Sequence, residues 1–271
     1  MTTINSVLGE IDSKDLGFTL MHEHVMVAAS GLSTHYPDLL GPNREQRAIE
    51  CLKKAKAHGI DTMLDATTFD LGRDPALLQT VAAASGVNLI NVTGWWLDVP
   101  RFMHGVGANQ MADEFIKDLT EGFRGTNIKA GMLKCAADFE GVTPPLETMA
   151  RAVARAHLQT GVPIMVHSYP TGHVACRQIA IFKEEGVDLG KVKIDHSNDT
   201  TDTEYLKWIL DQGCFLGLDR YPGRLVSPHM RTRTLKTLMD MGYGERLCPS
   251  HDCICLHIHN EQPDGSIAAQ H

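Results

Sequence analysis

No stretch of this chain is apolar for long enough to span a membrane. The opening residues Met1-Thr2-Thr3-Ile4-Asn5 carry neither a basic segment nor an apolar run, so a cytoplasmic protein without membrane contact is expected. Basic residues are in deficit, 25 Lys and Arg against 33 Asp and Glu. The resulting net charge of -8, with no basic stripe, argues against a nucleic-acid partner. The cysteines (Cys51, Cys135, Cys176, Cys214, Cys248, Cys253, Cys255) are odd in number and lack the spacing of a small disulfide scaffold, so they are expected to be mostly reduced core residues. Cys253-x-Cys255 with His257 and His259 does not have the ligand spacing of a structural zinc site. Also missing is a glycine-rich phosphate loop after the first apolar run. Met21-His22-Glu23-His24 stands there instead, which is nothing like a dinucleotide-binding turn.

What the chain does contain is a repeated alternation of short apolar runs with amphipathic helical stretches. The first run ends at Met21. Then come Thr62–Asp65, Asn88–Val92, Ala130–Lys134, Pro163–His167, Val192–His196, Cys214–Asp219 and the shorter Arg246–Ser250. Helices are expected near Arg44–His58, Pro145–Gln159 and Met230–Met241, with Gly59, Gly86, Gly161, Gly186 and Gly213 as stop signals. Strand and helix alternating about eight times in 271 residues predict one domain over residues 1–271, a (β/α)8 TIM barrel.

A barrel of this kind puts its active site at the C-terminal ends of the strands, so the polar residues ending each run should converge. They are His22, His24, Lys134, His167, His196, Asp219 with Arg220, and Asp252. His22 and His24 lie two apart and so share one face of a strand, where both can hold one ion. Histidines, a carboxylate and a lysine are enough for two divalent ions side by side. The nitrogen-rich donors suit zinc, cobalt, manganese or iron(II) rather than calcium or magnesium. Lys134 cannot ligate as an ammonium group. Buried, its amine is neutralised and can add carbon dioxide, giving a carbamate with two anionic oxygens; the competing reading is an ion pair with Asp252 or Asp138. Asp195 and Asp219 are candidate partners fixing histidine tautomers.

With those motifs in view, the chain resembles the phosphotriesterase-related branch of the amidohydrolase superfamily, including the phosphotriesterase-like lactonases. The resemblance rests on Gly17–His24, Lys129–Lys134, Gly161–His167, Asp195–Asp202, Gly217–Tyr221 and Ser250–Asp252. It implies that His22, His24 and Asp252 hold the more buried metal, that His167 and His196 hold the more exposed one, and that carboxylated Lys134 bridges them. It further implies hydrolysis by a metal-bridging hydroxide, with Asp252 moving the proton. The substrate so implied is a small molecule, an acyl-homoserine or other aliphatic lactone, with phosphotriesters as a side reaction. Alternatives are a dedicated phosphotriester or carboxylester hydrolase and a silent ligand-binding barrel.

Gly217-Leu218-Asp219-Arg220-Tyr221 looks like the lactonase version of the seventh strand end, so Arg220 and Tyr221 are candidate substrate contacts. Trp96 stands where those lactonases carry a tyrosine, and is expected to supply an apolar wall instead. A C-terminal helix closing the barrel is not apparent, and Glu261–Ser266 reads as loop. An uncovered apolar face promotes association. A homodimer is therefore expected, and a monomeric sedimentation profile at micromolar concentration would refute it.

Overall fold

The apolar runs become one nine-stranded parallel sheet that curls around a central core. In the computed structural model the described residues are 2–223, 225–256, 260–261 and 267–268. After an antiparallel hairpin, β1 (Thr3–Ser6) and β2 (Gly9–Asp12), the sheet strands are β3 (Thr19–Met26), β4 (Thr62–Asp65), β5 (Asn88–Gly94), β6 (Met132–Ala136), β7 (Ile164–His167), β8 (Val192–Ile194), β9 (Phe215–Leu218), β10 (Leu247–Pro249) and β11 (Ile254–Leu256). Sheet neighbours follow chain order from β3 to β10, and β11 flanks β3 on its other side. The one-turn α1 (Leu32–His35) precedes the crossovers α2 (Arg44–Ala57), α3 (Pro75–Ser85), α4 (Ala108–Thr120), α5 (Pro144–Thr160), α6 (Ala175–Glu185), α7 (Thr203–Asp211) and α8 (Pro228–Asp240). The architecture is the expected α/β barrel. Among the described residues no α-helix follows α8, and none is long and apolar enough to cross a membrane.

Helix ends fall where the sequence signals them. Asp74, Asp202 and Ser227 accept hydrogen bonds from the first-turn amides of α3, α7 and α8, and Gly86, Gly161 and Gly186 stop α3, α5 and α6 in left-handed conformation.

Closure of the barrel differs from the expected single eighth strand over Arg246–Ser250. The eighth element comes in two pieces: β10 pairs with β9, and after a bend β11 pairs with β3. In the bend the amide of Asp252 donates to the carbonyl of His22 at 3.1 Å, and the amide of His24 donates to the carbonyl of Cys253 at 2.8 Å. The segment that seals the barrel is therefore also the one that carries Asp252.

The opposite, N-terminal mouth is plugged by the hairpin. Leu64, Ala66, Ile90, Val92, Met132 and Met165 fill the barrel interior, and Ile4 and Leu16 pack onto them from below. The side-chain amide of Asn5 bonds the carbonyls of Leu119 and Ala130 at 2.9 and 2.8 Å, which pins the plug. Beyond β11, β12 (Asn260–Glu261) pairs with β13 (Ile267–Ala268), so Glu261, expected in a loop, is in a strand. His257, His259 and residues 262–266 lie outside the described residues.

Candidate metal centre

Strand alternation inside β3 turns His22 and His24 to the barrel interior and Glu23 away from it. Both imidazoles are buried, as are those of His167, at the end of β7, and His196, just past β8. Lys134 is buried mid-strand in β6, whereas His196 has left its strand and sits at φ 58°. Asp252 also takes a positive φ, 53°, which turns its carboxylate back over the strand ends.

Each imidazole has one nitrogen committed to a partner on its far side. Nδ1 of His24 lies 2.8 Å from Oγ1 of Thr67, whose hydroxyl donates to Asp65 at 2.8 Å. Nδ1 of His196 lies 2.9 Å from Asp219, and Nε2 of His167 lies 2.9 Å from Asp138. Nδ1 of His22 faces Asp195 and Asp219 at 3.1 and 3.2 Å, without good hydrogen-bond geometry to either. For His24 and His196 these partners put the N–H on the outer nitrogen and turn the other nitrogen inward, the arrangement a metal-binding histidine needs. Gly217 makes room for the carboxylates beneath His22, since a Cβ there would collide with both Asp195 and Asp219.

The donor set fits divalent ions. Nε2 of His22 and Nε2 of His24 stand 3.5 and 3.4 Å from Oδ1 of Asp252. That is long for a hydrogen bond, but nitrogen and oxygen ligands at tetrahedral angles around zinc lie about 3.4 Å apart. Nδ1 of His167 and Nε2 of His196 approach to 2.7 Å. Two lone pairs cannot face each other at that separation without a proton or a cation between them, and a metal would widen the gap by about 0.7 Å.

Electrostatics point the same way. Burial works against charge on His22, yet the carboxylates of Asp195, Asp252 and Asp219 outweigh it and raise the imidazole to about 9. His24, with less help, is pushed down to about 4 by burial, with the charge of Lys134 adding to the effect. Burial likewise lowers His167 and, well below its ordinary value, His196. A pocket that draws a proton onto one imidazole while keeping the others neutral has carboxylate charge to spare, and a divalent cation neutralises it.

Lys134 makes no close ion pair with Asp252 or Asp138. Its Nζ donates to the carbonyl of Ala66 at 2.8 Å, and burial lowers its pKa against the opposing charges of Asp195, Asp252 and Asp70. Asp138 is instead the partner of His167, and Asp252 that of Arg220, whose Nε donates at 3.0 Å. Arg220 also donates to Asp199 at 2.6 Å, and the fully buried Arg231 holds Asp199 from behind at 2.6 Å.

Trp96 is more than the expected apolar wall, because its indole N–H donates to Nδ1 of His167 at 3.2 Å, the lone pair a second ion would use. The Tyr221 hydroxyl is buried with no hydrogen-bond partner.

Several residues that build the centre escape a reading of strand ends. Asp195, a candidate tautomer partner from the sequence, faces His22 rather than the adjacent His196, whereas Asp138 beside His167 was not foreseen in that role. Glu23 accepts from Ser250 Oγ, the amide and Nδ1 of His251, and the amide of Cys253, at 2.7, 2.9, 3.2 and 2.8 Å, thereby fixing the Asp252 segment. The signal for Glu23 was present in the alternation of β3, which faces it toward whatever strand lies outside.

Comparison with known proteins agrees with this geometry. A model of the phosphotriesterase family matches residues 2–266. A phosphotriesterase homology protein of Mycobacterium tuberculosis is 37% identical over 292 residues, covering 96% of this chain and 90% of its own. An aryldialkylphosphatase of Saccharolobus solfataricus is 40% identical over 249 residues, covering 90% and 79%. An N-acetyltaurine hydrolase of Dictyostelium discoideum is 30% identical over 229 residues, covering 79% and 62%. A family match running almost end to end, over a barrel whose strand ends gather this donor set, means that the chain belongs to the phosphotriesterase family of metal-dependent hydrolases.

Proposed function

We propose that this hydrolase opens aliphatic lactones, acyl-homoserine lactones among them, and turns over phosphotriesters as a side reaction. In this reading His22, His24 and Asp252 hold one divalent ion, His167 and His196 a second, and Lys134, as its carbamate, lies between them. Zinc suits the donors best, with cobalt, manganese and iron(II) also compatible. Such ions supply Lewis acidity toward a carbonyl or phosphoryl oxygen and lower the pKa of water.

The chain's own residues supply positioning and proton movement. Asp252 is held ionised, well below the usual carboxylate range, because the charge of His22 above all overcomes its burial. The Arg220 guanidinium grips its second oxygen and fixes its direction. A carboxylate so placed at the mouth can take a proton from water and deliver it to a departing alkoxide. That delivery matters most for a lactone, whose leaving group is poor, and the Asp252–Arg220 contact is the observation that carries the lactone reading. Trp96 stands edge-on to the His167 imidazole beside the proposed ions, and the Tyr221 hydroxyl, buried and unpaired, would have to be uncovered to meet a substrate oxygen.

A phosphotriester preference is the second reading, favoured by the relative named aryldialkylphosphatase. One experiment separates the two. Purified protein and Asp252→Asn are loaded with metal with and without bicarbonate, then offered a long-chain acyl-homoserine lactone and an activated phosphotriester side by side. We expect about two ions per chain, fuller loading with bicarbonate, better lactone turnover, and a loss of at least about 10²-fold in the variant. Better phosphotriester turnover would sink the lactone reading.

A further inference from the structure

The thiols of Cys51, in the middle of α2, and Cys255, in β11, lie 2.8 Å apart although 204 residues separate them in sequence. Both are half-buried. β11 pairs with β3 on one edge and packs against α2, so the two thiols sit where the closing strand meets the first crossover helix. A cysteine metal site does not explain the pair, since among the described residues no group of three metal-capable side chains includes a cysteine.

We propose that Cys51 and Cys255 form a reversible disulfide site that staples the closing strand of the barrel to its first crossover helix. A disulfide needs its sulfurs at about 2.05 Å, so the pair must close by about 0.8 Å, within reach of two side-chain rotations. Cys51 is the attacking group. Its hydrogen-bonding contact with Cys255 brings its thiol down to about 7 against the opposing effect of burial, and Lys54 assists.

The co-reactant is a small soluble disulfide. The Cys51 thiolate attacks one of its sulfurs, breaking that S–S bond and releasing one small thiolate. Cys255 then gives its proton to solvent and attacks Sγ of Cys51 in the mixed disulfide, expelling the second small thiolate. Two protein thiols are oxidised and one small disulfide is reduced to two thiols.

The staple lands three residues beyond Asp252, so it anchors the segment that closes the barrel. The test treats the full-length protein with oxidised glutathione, maps linkages by mass spectrometry of a digest, and follows thermal unfolding after metal removal, so that the outcome does not depend on the metal reading. The expected result is a Cys51–Cys255 linkage, reversed by dithiothreitol, with an unfolding midpoint raised by about 5 °C or more. Cys255→Ser should instead retain a stable glutathione adduct on Cys51. A persistent adduct on Cys51 of the unmutated protein, linkage through Cys253, or a linked protein that melts no higher would each overturn the proposal.

Discussion

Replacing Glu23 by glutamine tests how far the metal centre depends on a residue that never faces it. The carboxylate spends both oxygens on the Asp252 segment, one on Ser250 and His251 and the other on the Cys253 amide. Glutamine keeps one acceptor and turns the other into a donor, so at least one backbone amide of the segment faces an N–H. An unsatisfied buried donor costs about 1–3 kcal/mol, and the bonds that survive lose their charge assistance, for a total on the order of 2–4 kcal/mol. For a protein of this size that lowers the unfolding midpoint by on the order of 5–10 °C. Loosening the segment also unsettles Asp252, and losses of about 10–100-fold in metal affinity are typical when the support of a ligand is removed. Melting the metal-free variant isolates the first effect, and competition with a chromophoric chelator measures the second. A Glu23→Gln protein that melts with the unmutated one and holds metal equally well would refute the claim that this carboxylate shapes the site.

Two further substitutions address groups around the centre. Trp96→Phe keeps the apolar wall but removes the N–H aimed at His167, so calorimetric titration should show the weaker of the two binding events strengthened by about 2–10-fold; an unchanged or weaker event would mean that the indole does not compete with the ion. Arg231→Met strips a buried guanidinium from Asp199 and from the carbonyls of Asn198 and Val226, and urea denaturation of the metal-free protein should register a loss of about 3–5 kcal/mol. A loss below about 1 kcal/mol would show that Asp199 is adequately held by Arg220 alone.

Barrel architecture was legible because parallel strands buried on both faces read as apolar runs, and because polar residues closing several of those runs have one shared destination in such a fold. The four histidines, Lys134 and Asp252 became candidates by that rule, although His22, His24 and Lys134 lie within their strands rather than at the ends. What was not legible depends on contacts distant in sequence. The eighth element reads as one short run, since nothing local to Ile254–Leu256 announces that its partner is β3 rather than β9. The plug formed by Thr3–Asp12 has no apolar signature of its own and makes sense only against the interior it covers. Asp138 is an ordinary aspartate until folding brings it to the imidazole of His167, and which imidazole Asp195 would face depended on the fold. Trp96 was expected to act by shape alone, because a sequence does not say where an indole N–H points.

The eighth element's double role also sets when the site can come into being. The amide of His22 bonds Ser250 across 228 residues of sequence, and Asp252 follows two residues later. Contacts of such separation form late, after local elements have condensed. A nascent chain emerging from the ribosome exposes His22 and His24 long before Asp252 exists, so it offers two histidines without their carboxylate for most of its synthesis. In the proposed assignment, capture of an ion by His22, His24 and Asp252 together therefore waits for the closing segment, by which time the outer partners of the two imidazoles, Thr67, Asp195 and Asp219, are already in place.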